Sequence, residues 1–224
     1  MHPEWSRPVN KPLPRYIAVE GPIGVGKTSL AKRLAQTFNY DIVLEKPEEN
    51  PFLERFYRNP RQYALSTQLF FLFQRAQQLQ DLKQDDLFEP VRVADFLIDK
   101  DRLFAHQNLD PDEFVLYENV YRHLTVHAPV PDLVIYLQAP THVLLSRIQK
   151  RGILAEQAIE ADYLDRLNAA YTSFFHYYDQ SPLLIVNSTD IDLVGRDEDY
   201  QQLVDRILQA PQGVHYFNPS PALL

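Results

Sequence analysis

Gly21-Pro22-Ile23-Gly24-Val25-Gly26-Lys27-Thr28 is the segment whose residue types and spacing carry the most chemistry. Backbone N–H groups can converge on a polyphosphate only where no side chain intrudes. Three of the chain's six glycines stand within these eight positions. The pattern is GxxxxGK[ST], in which Lys27 is placed to reach the β and γ phosphates and the Thr28 hydroxyl to take Mg²⁺. A helix beginning here adds the partial positive charge of its N-terminus. Gly21, Ile23, Gly24, Val25, Gly26, Lys27, Thr28 and Ser29 are therefore the expected nucleotide-binding residues, with ATP the expected donor.

Phosphoryl transfer to a hydroxyl also needs a carboxylate to take the proton and an acid near the metal. Glu45 suits the first role and Asp95 the second, because each follows a short apolar run. Arg147 and Arg151 are four residues apart on one expected helical face, where guanidinium groups can clamp a moving phosphoryl group. Lys27, Glu45, Arg147 and Arg151 are thus the expected catalytic residues, and Thr28 and Asp95 the expected metal-side pair. None of the seven histidines has metal-ligand spacing; His123 and His127 are four apart but lack a third ligand.

Positioning these groups takes a regular scaffold. Strand-sized apolar runs at 16–19, 41–44, 91–94, 133–137 and 183–186 alternate with segments of helical spacing at 29–38, 51–57, 60–82, 111–127, 141–150, 161–178 and 200–209. This alternation predicts an α/β fold with a five-stranded parallel sheet covered by helices on both faces. Ligands on such sheets sit outside the carboxyl ends of the strands, which places the glycine-rich loop, Glu45 and Asp95 on one edge. Residues 15–210 read as a single domain. The proline-rich 1–14 read as a loose arm and 211–224 as a loose tail.

Composition narrows the partners. The 22 basic against 30 acidic residues leave a net charge of −8, which repels nucleic-acid backbones. The absence of cysteine excludes disulfides, thiolate metal sites and a cysteine nucleophile, and fits a cytoplasmic protein. No apolar run has membrane-spanning length, and the start lacks a secretory apolar core. The expected partner is a small molecule, with no nucleic acid and no membrane.

The set resembles the deoxyribonucleoside kinase family of deoxycytidine, deoxyguanosine and deoxyadenosine kinases. The likeness is carried by GPIGVGKT, LEKPEENPFLERFY, YALSTQLFFLFQR, DFLIDKDRLFA and RIQKRGILAEQ, in that order. It implies the P-loop kinase fold with a short lid, phosphorylation of a deoxynucleoside 5′-hydroxyl, and a homodimer. It implies that Glu45 faces the 5′-hydroxyl and that Tyr57 and Glu156 grip the 3′-hydroxyl. Gln68 would bond the base, and Arg75 with Asp101 would form the base-side ion pair of purine-accepting members. Phe70, Phe71, Phe73 and Phe104 are candidates for stacking on the base. Two positions depart from the family: Phe96 and Ile153 stand where arginines are usual. Lys100, Arg102 or Lys46 is expected to supply the charge missing at position 96. The readings kept beside this one are a nucleoside monophosphate kinase and a nucleotide-binding regulator. The Asn-Lys-x-Asp motif of guanine switches is absent.

Overall fold

The computed structural model describes residues 13–84, 91–125, 128–193, 195–209 and 212–218. The first twelve positions of the N-terminal arm, the end of the helix expected to reach His127, and the tail beyond 218 lie outside the described residues.

The sheet consists of β1 (Tyr16–Glu20), β2 (Asp41–Val43), β3 (Arg92–Ala94), β4 (Leu133–Gln138), β5 (Leu183–Asn187) and β6 (Val214–Phe217). The helices are α1 (Lys27–Phe38), α2 (Leu53–Arg58), α3 (Pro60–Gln84), α4 (Lys100–Asn108), α5 (Pro111–Thr125), α6 (Thr141–Arg151), α7 (Ala161–His176) and α8 (Asp197–Leu208). Strand order is β2-β3-β1-β4-β5-β6, and every neighbouring pair is parallel. Helices cover both faces of this parallel sheet, as expected.

Two elements differ from the reading of the sequence. The sheet has six strands, because Val214–Phe217 in the segment read as a loose tail pairs with β5 from Leu183↔Val214 to Val186↔Phe217. As a four-residue edge strand with no fully buried position it is too short to show a clear alternation. Helix α4 also went unread. Its nine residues KDRLFAHQN are mostly polar, and Asp99 before it makes no side-chain cap.

Position in the sheet explains the strand compositions. Central β1 is buried at all five positions, between β3 (Ala18↔Ala94) and β4 (Ala18↔Val134). Ile17, Val19, Val134 and Ile135 pack there with Leu30 and Leu34 of α1 and Leu164 and Leu167 of α7. After β3 the chain crosses β1 to build β4 on its other side. A strand-order reversal of this kind opens a crevice at the carboxyl ends. The loop after β1 and Asp95 after β3 border that crevice because their strands are neighbours.

Candidate active site

The glycine-rich loop leaves β1 and enters α1. Gly21 has φ of 150°, and a Cβ there would lie 2.4 Å from the Leu137 carbonyl oxygen, so no side chain fits. Gly26 precedes the helix at φ 108°. The first turn of α1 holds no acidic residue and no side-chain cap, which leaves its N-terminal charge for an anion. Lys27 Nζ turns back onto the loop and donates to the carbonyls of Gly21 (2.8 Å) and Pro22 (3.3 Å). Burial, then the Lys100 ammonium, lowers its pKa from the ordinary lysine value.

Asp95 ties three elements together. Its Oδ1 accepts from the Glu45 N–H at 2.7 Å and its Oδ2 from the Thr28 hydroxyl at 2.5 Å, while its own N–H donates to the Val43 carbonyl. The segment after β2 is also gripped from α3: Gln78 Nε2 donates to the Leu44 carbonyl (2.8 Å) and Gln74 Nε2 to that of Lys46 (3.3 Å). Glu45 is thus fixed by backbone contacts on both sides.

Around the Glu45 carboxylate lies a buried charge cluster. Arg75 donates to Oε1 from both Nε (2.9 Å) and Nη2, and its Nη1 lies 2.6 Å from Asp101 Oδ2. Lys100 Nζ lies 3.1 Å from Glu45 Oε1 and 3.3 Å from Oε2. Burial opposes ionisation of Glu45, but Arg75, Lys100 and Lys27 together hold its pKa well below the carboxylate range. Asp101, fully buried, is pushed up by burial against the pull of Arg75. Of the three cations expected to make good the arginine absent at position 96, Lys100 reaches Glu45. Lys46 pairs with Glu49, and Arg102 with Glu118. Phe96 itself is buried among Tyr16, Val43 and Ala94.

Two cavities meet at the loop. The larger, about 690 Å³, is lined by Gly24 to Ser29, Arg147, Lys150, Arg151 and the loop after β5 from Ser188 to Leu193. The smaller, about 130 Å³, is lined by Glu45, Tyr57, Gln68, Phe71, Arg75 and Phe104, with Thr28, Asp95, Lys100, Arg151 and Glu156. Gly24, Lys27, Thr28 and Arg151 border both. Ile23 lines only the smaller, and Gly21 shapes the turn without lining either.

Most of the expected site residues therefore converge. Asp101 reaches the site through Arg75. Arg147 is half-buried and braces the loop, donating to the Val25 carbonyl (3.2 Å) and the Ser188 carbonyl (2.6 Å). Arg151 is 2.5 Å from Glu156. Of the four phenylalanines, Phe71 and Phe104 line the smaller cavity; Phe70 and Phe73 do not, and Phe73 is exposed. The sequence reading missed the 188–193 loop, although it follows a strand on the same carboxyl edge. It also missed Glu20, which is wholly buried.

A model of the family described as "Deoxynucleoside kinase" matches residues 17–210. The chain belongs to the deoxynucleoside kinase family. It is a phosphotransferase with an alcohol acceptor, and it phosphorylates deoxynucleosides. Similar proteins include the deoxyguanosine kinase of Bacillus subtilis, 35% identical over 198 residues that cover 86% of this chain and 95% of that one. The deoxyadenosine/deoxycytidine kinase of the same organism is 28% identical over 206 residues, covering 88% and 93%. Among solved structures, the deoxyadenosine kinase of M. mycoides with bound dATP matches with a TM-score of 0.75 and 26% identity, over 86% of this chain and 98% of that one. Glu45 lines the smaller cavity together with Gly24, Lys27 and Thr28 of the loop, and Lys100, not a residue at position 96, contacts its carboxylate. Among the described residues no helix is long and apolar enough to cross a membrane.

Proposed function

We propose that the chain transfers the γ-phosphoryl group of ATP to the 5′-hydroxyl of a purine deoxynucleoside. The observation that carries this is the Glu45 carboxylate on the wall where the phosphate loop meets the smaller cavity. The triphosphate lies along the loop amides from Gly24 to Ser29, with Lys27 released from the Gly21 carbonyl to the phosphates. The adenine side extends toward the 188–193 loop. The nucleoside enters the smaller cavity, its sugar between Tyr57 and Glu156 and its base against Gln68. The two-sided amide of Gln68 can donate and accept on one base edge, as adenine recognition requires.

In the transfer, Glu45 takes the proton of the 5′-hydroxyl, the O5′–phosphorus bond forms, and the bond from the γ phosphorus to the β-bridging oxygen breaks, releasing ADP. Arg151, at the mouth of both cavities, answers the charge that spreads over the moving group. Thr28 and Asp95 bring a hydroxyl and a carboxylate together, a hard-oxygen donor set that suits Mg²⁺. Bound there, Mg²⁺ would neutralise phosphate charge. Purine preference is supported by the Arg75–Asp101 pair beside Gln68. A homodimer is supported by α3 and α5, which leave Phe73, Val115 and Leu116 exposed; sedimentation velocity tests it.

The decisive experiment supplies ATP with a panel of deoxynucleosides and deoxynucleoside monophosphates. Deoxyadenosine or deoxyguanosine is expected to yield its 5′-monophosphate, and Glu45→Gln to lower kcat by at least ~10²-fold while ATP binding by calorimetry persists. Turnover confined to monophosphates overturns the reading.

A further inference from the structure

Lys100 is the first residue of α4 and only 3% exposed, an uncommon place for a lysine without a designated partner. Its partners are two carboxylates. One is Glu45; the other is Glu20, the last residue of β1, whose Oε2 lies 3.8 Å from Nζ. Glu20 is immobile for a visible reason. It accepts from the Gly21 N–H (2.8 Å), the Leu97 N–H (2.8 Å) and the Tyr171 hydroxyl (2.9 Å), and is wholly buried. The ammonium is therefore held between a fixed acid at the root of the phosphate loop and the acid at the reacting hydroxyl. Arg75 differs, because its guanidinium is divided between Asp101 and a single Glu45 oxygen, Oε1.

We propose that Lys100, anchored on Glu20, is the positioning residue that sets the Glu45 carboxylate for proton transfer. The role rests on the function proposed above for Glu45. Lys100 contacts both Glu45 oxygens, so it fixes the rotation of the carboxylate as well as its place. A compact ammonium with three donors can serve two acids at once, and its charge offsets part of theirs within a largely buried cluster. Lys27, the neighbour in contact with the loop carbonyls, leaves for the phosphates when nucleotide binds; Lys100 does not need to move. Placement of this kind acts on the chemical step, since about 1 Å of misplacement can cost ~10²-fold in rate.

The test is steady-state kinetics of Lys100→Met and Lys100→Arg with ATP and deoxyadenosine or deoxyguanosine, beside Glu45→Gln. For Lys100→Met, kcat is expected to fall ~10²-fold with nucleoside KM within about threefold. Lys100→Arg, which restores a cation, is expected to recover most of that loss. Should methionine prevent folding, judged by a thermal melt, Lys100→Gln replaces it and must show the same loss against Lys100→Arg. The proposal is overturned if the uncharged variants keep kcat within about threefold, if only KM changes, or if arginine does no better than an uncharged residue. A Glu45→Gln variant that keeps full turnover sinks instead the role of Glu45 on which the proposal rests.

Discussion

The chemistry of this site is set by which charges share a dry space. Glu45 alone would resist ionisation on burial, yet Arg75 and Lys100 hold it ionised, and Arg75 in turn holds Asp101. Removing one member leaves an uncompensated buried charge. Asp101→Ala should therefore leave Arg75 held by Glu45 alone. We expect nucleoside KM to rise at least ~10-fold and the melting temperature to fall, measured by kinetics and a thermal melt. Steric limits act at the same scale. Gly21→Ala places a methyl 2.4 Å from the Leu137 carbonyl oxygen, so the loop or β4 must shift. The expected outcome is a loss of about 2–4 kcal/mol in stability by chemical denaturation, together with weaker ATP binding by calorimetry.

At the scale of elements, Glu20, Glu45, Asp95, Lys27 and Lys100 are delivered by strand ends or helix starts, while Gln68 and Arg75 come from the middle of α3 and Arg151 from the end of α6. Asp95 meets Thr28 because β3 lies next to β1, so the residues after both strands emerge side by side. Helix α4 brings Lys100 and Asp101 to the same cluster from its first turn. Strand β6 covers the edge of β5, whose N–H and C=O groups would otherwise face water. Truncation after Gln209 uncovers that edge. We expect stability to fall by about 1–3 kcal/mol, or roughly 3–10 °C in Tm, with nucleoside KM little changed, since no residue of β6 lines the smaller cavity.

For the whole molecule, buried tyrosines make the fold sensitive to alkali. Burial pushes Tyr163 and Tyr178 up to about 12, and raises Tyr57 and Tyr171 as well. Each folded-state value lies above the ordinary tyrosine value of about 10, so the folded chain keeps protons that the unfolded chain has lost. That contribution is complete below pH ~10 and vanishes as pH rises toward ~12. Tm measured against pH should accordingly decline steeply across this window, and replacing Tyr178 by Phe should soften the decline. Much of the molecule was readable from its residues. The glycine-lysine-threonine loop and five strands were legible because backbone geometry, alternation and spacing are local properties. Glu45 and Asp95 followed from the strand ends, whereas Tyr57, Gln68, Arg75, Asp101 and Glu156 were expected only from the family resemblance. Strand β6 and helix α4 were not, since one is a short edge strand and the other a mostly polar helix, each stabilised by what it packs against. That Arg75 joins Glu45 as well as Asp101, that Lys100 rather than Lys46 or Arg102 serves Glu45, and that Glu20 anchors it were decided by tertiary structure alone. Pairings among buried charges depend on distances of a few ångströms between residues as many as 80 positions apart, such as Glu20 and Lys100. The order of strands in the sheet and the packing of α3 and α4 beside it set those distances.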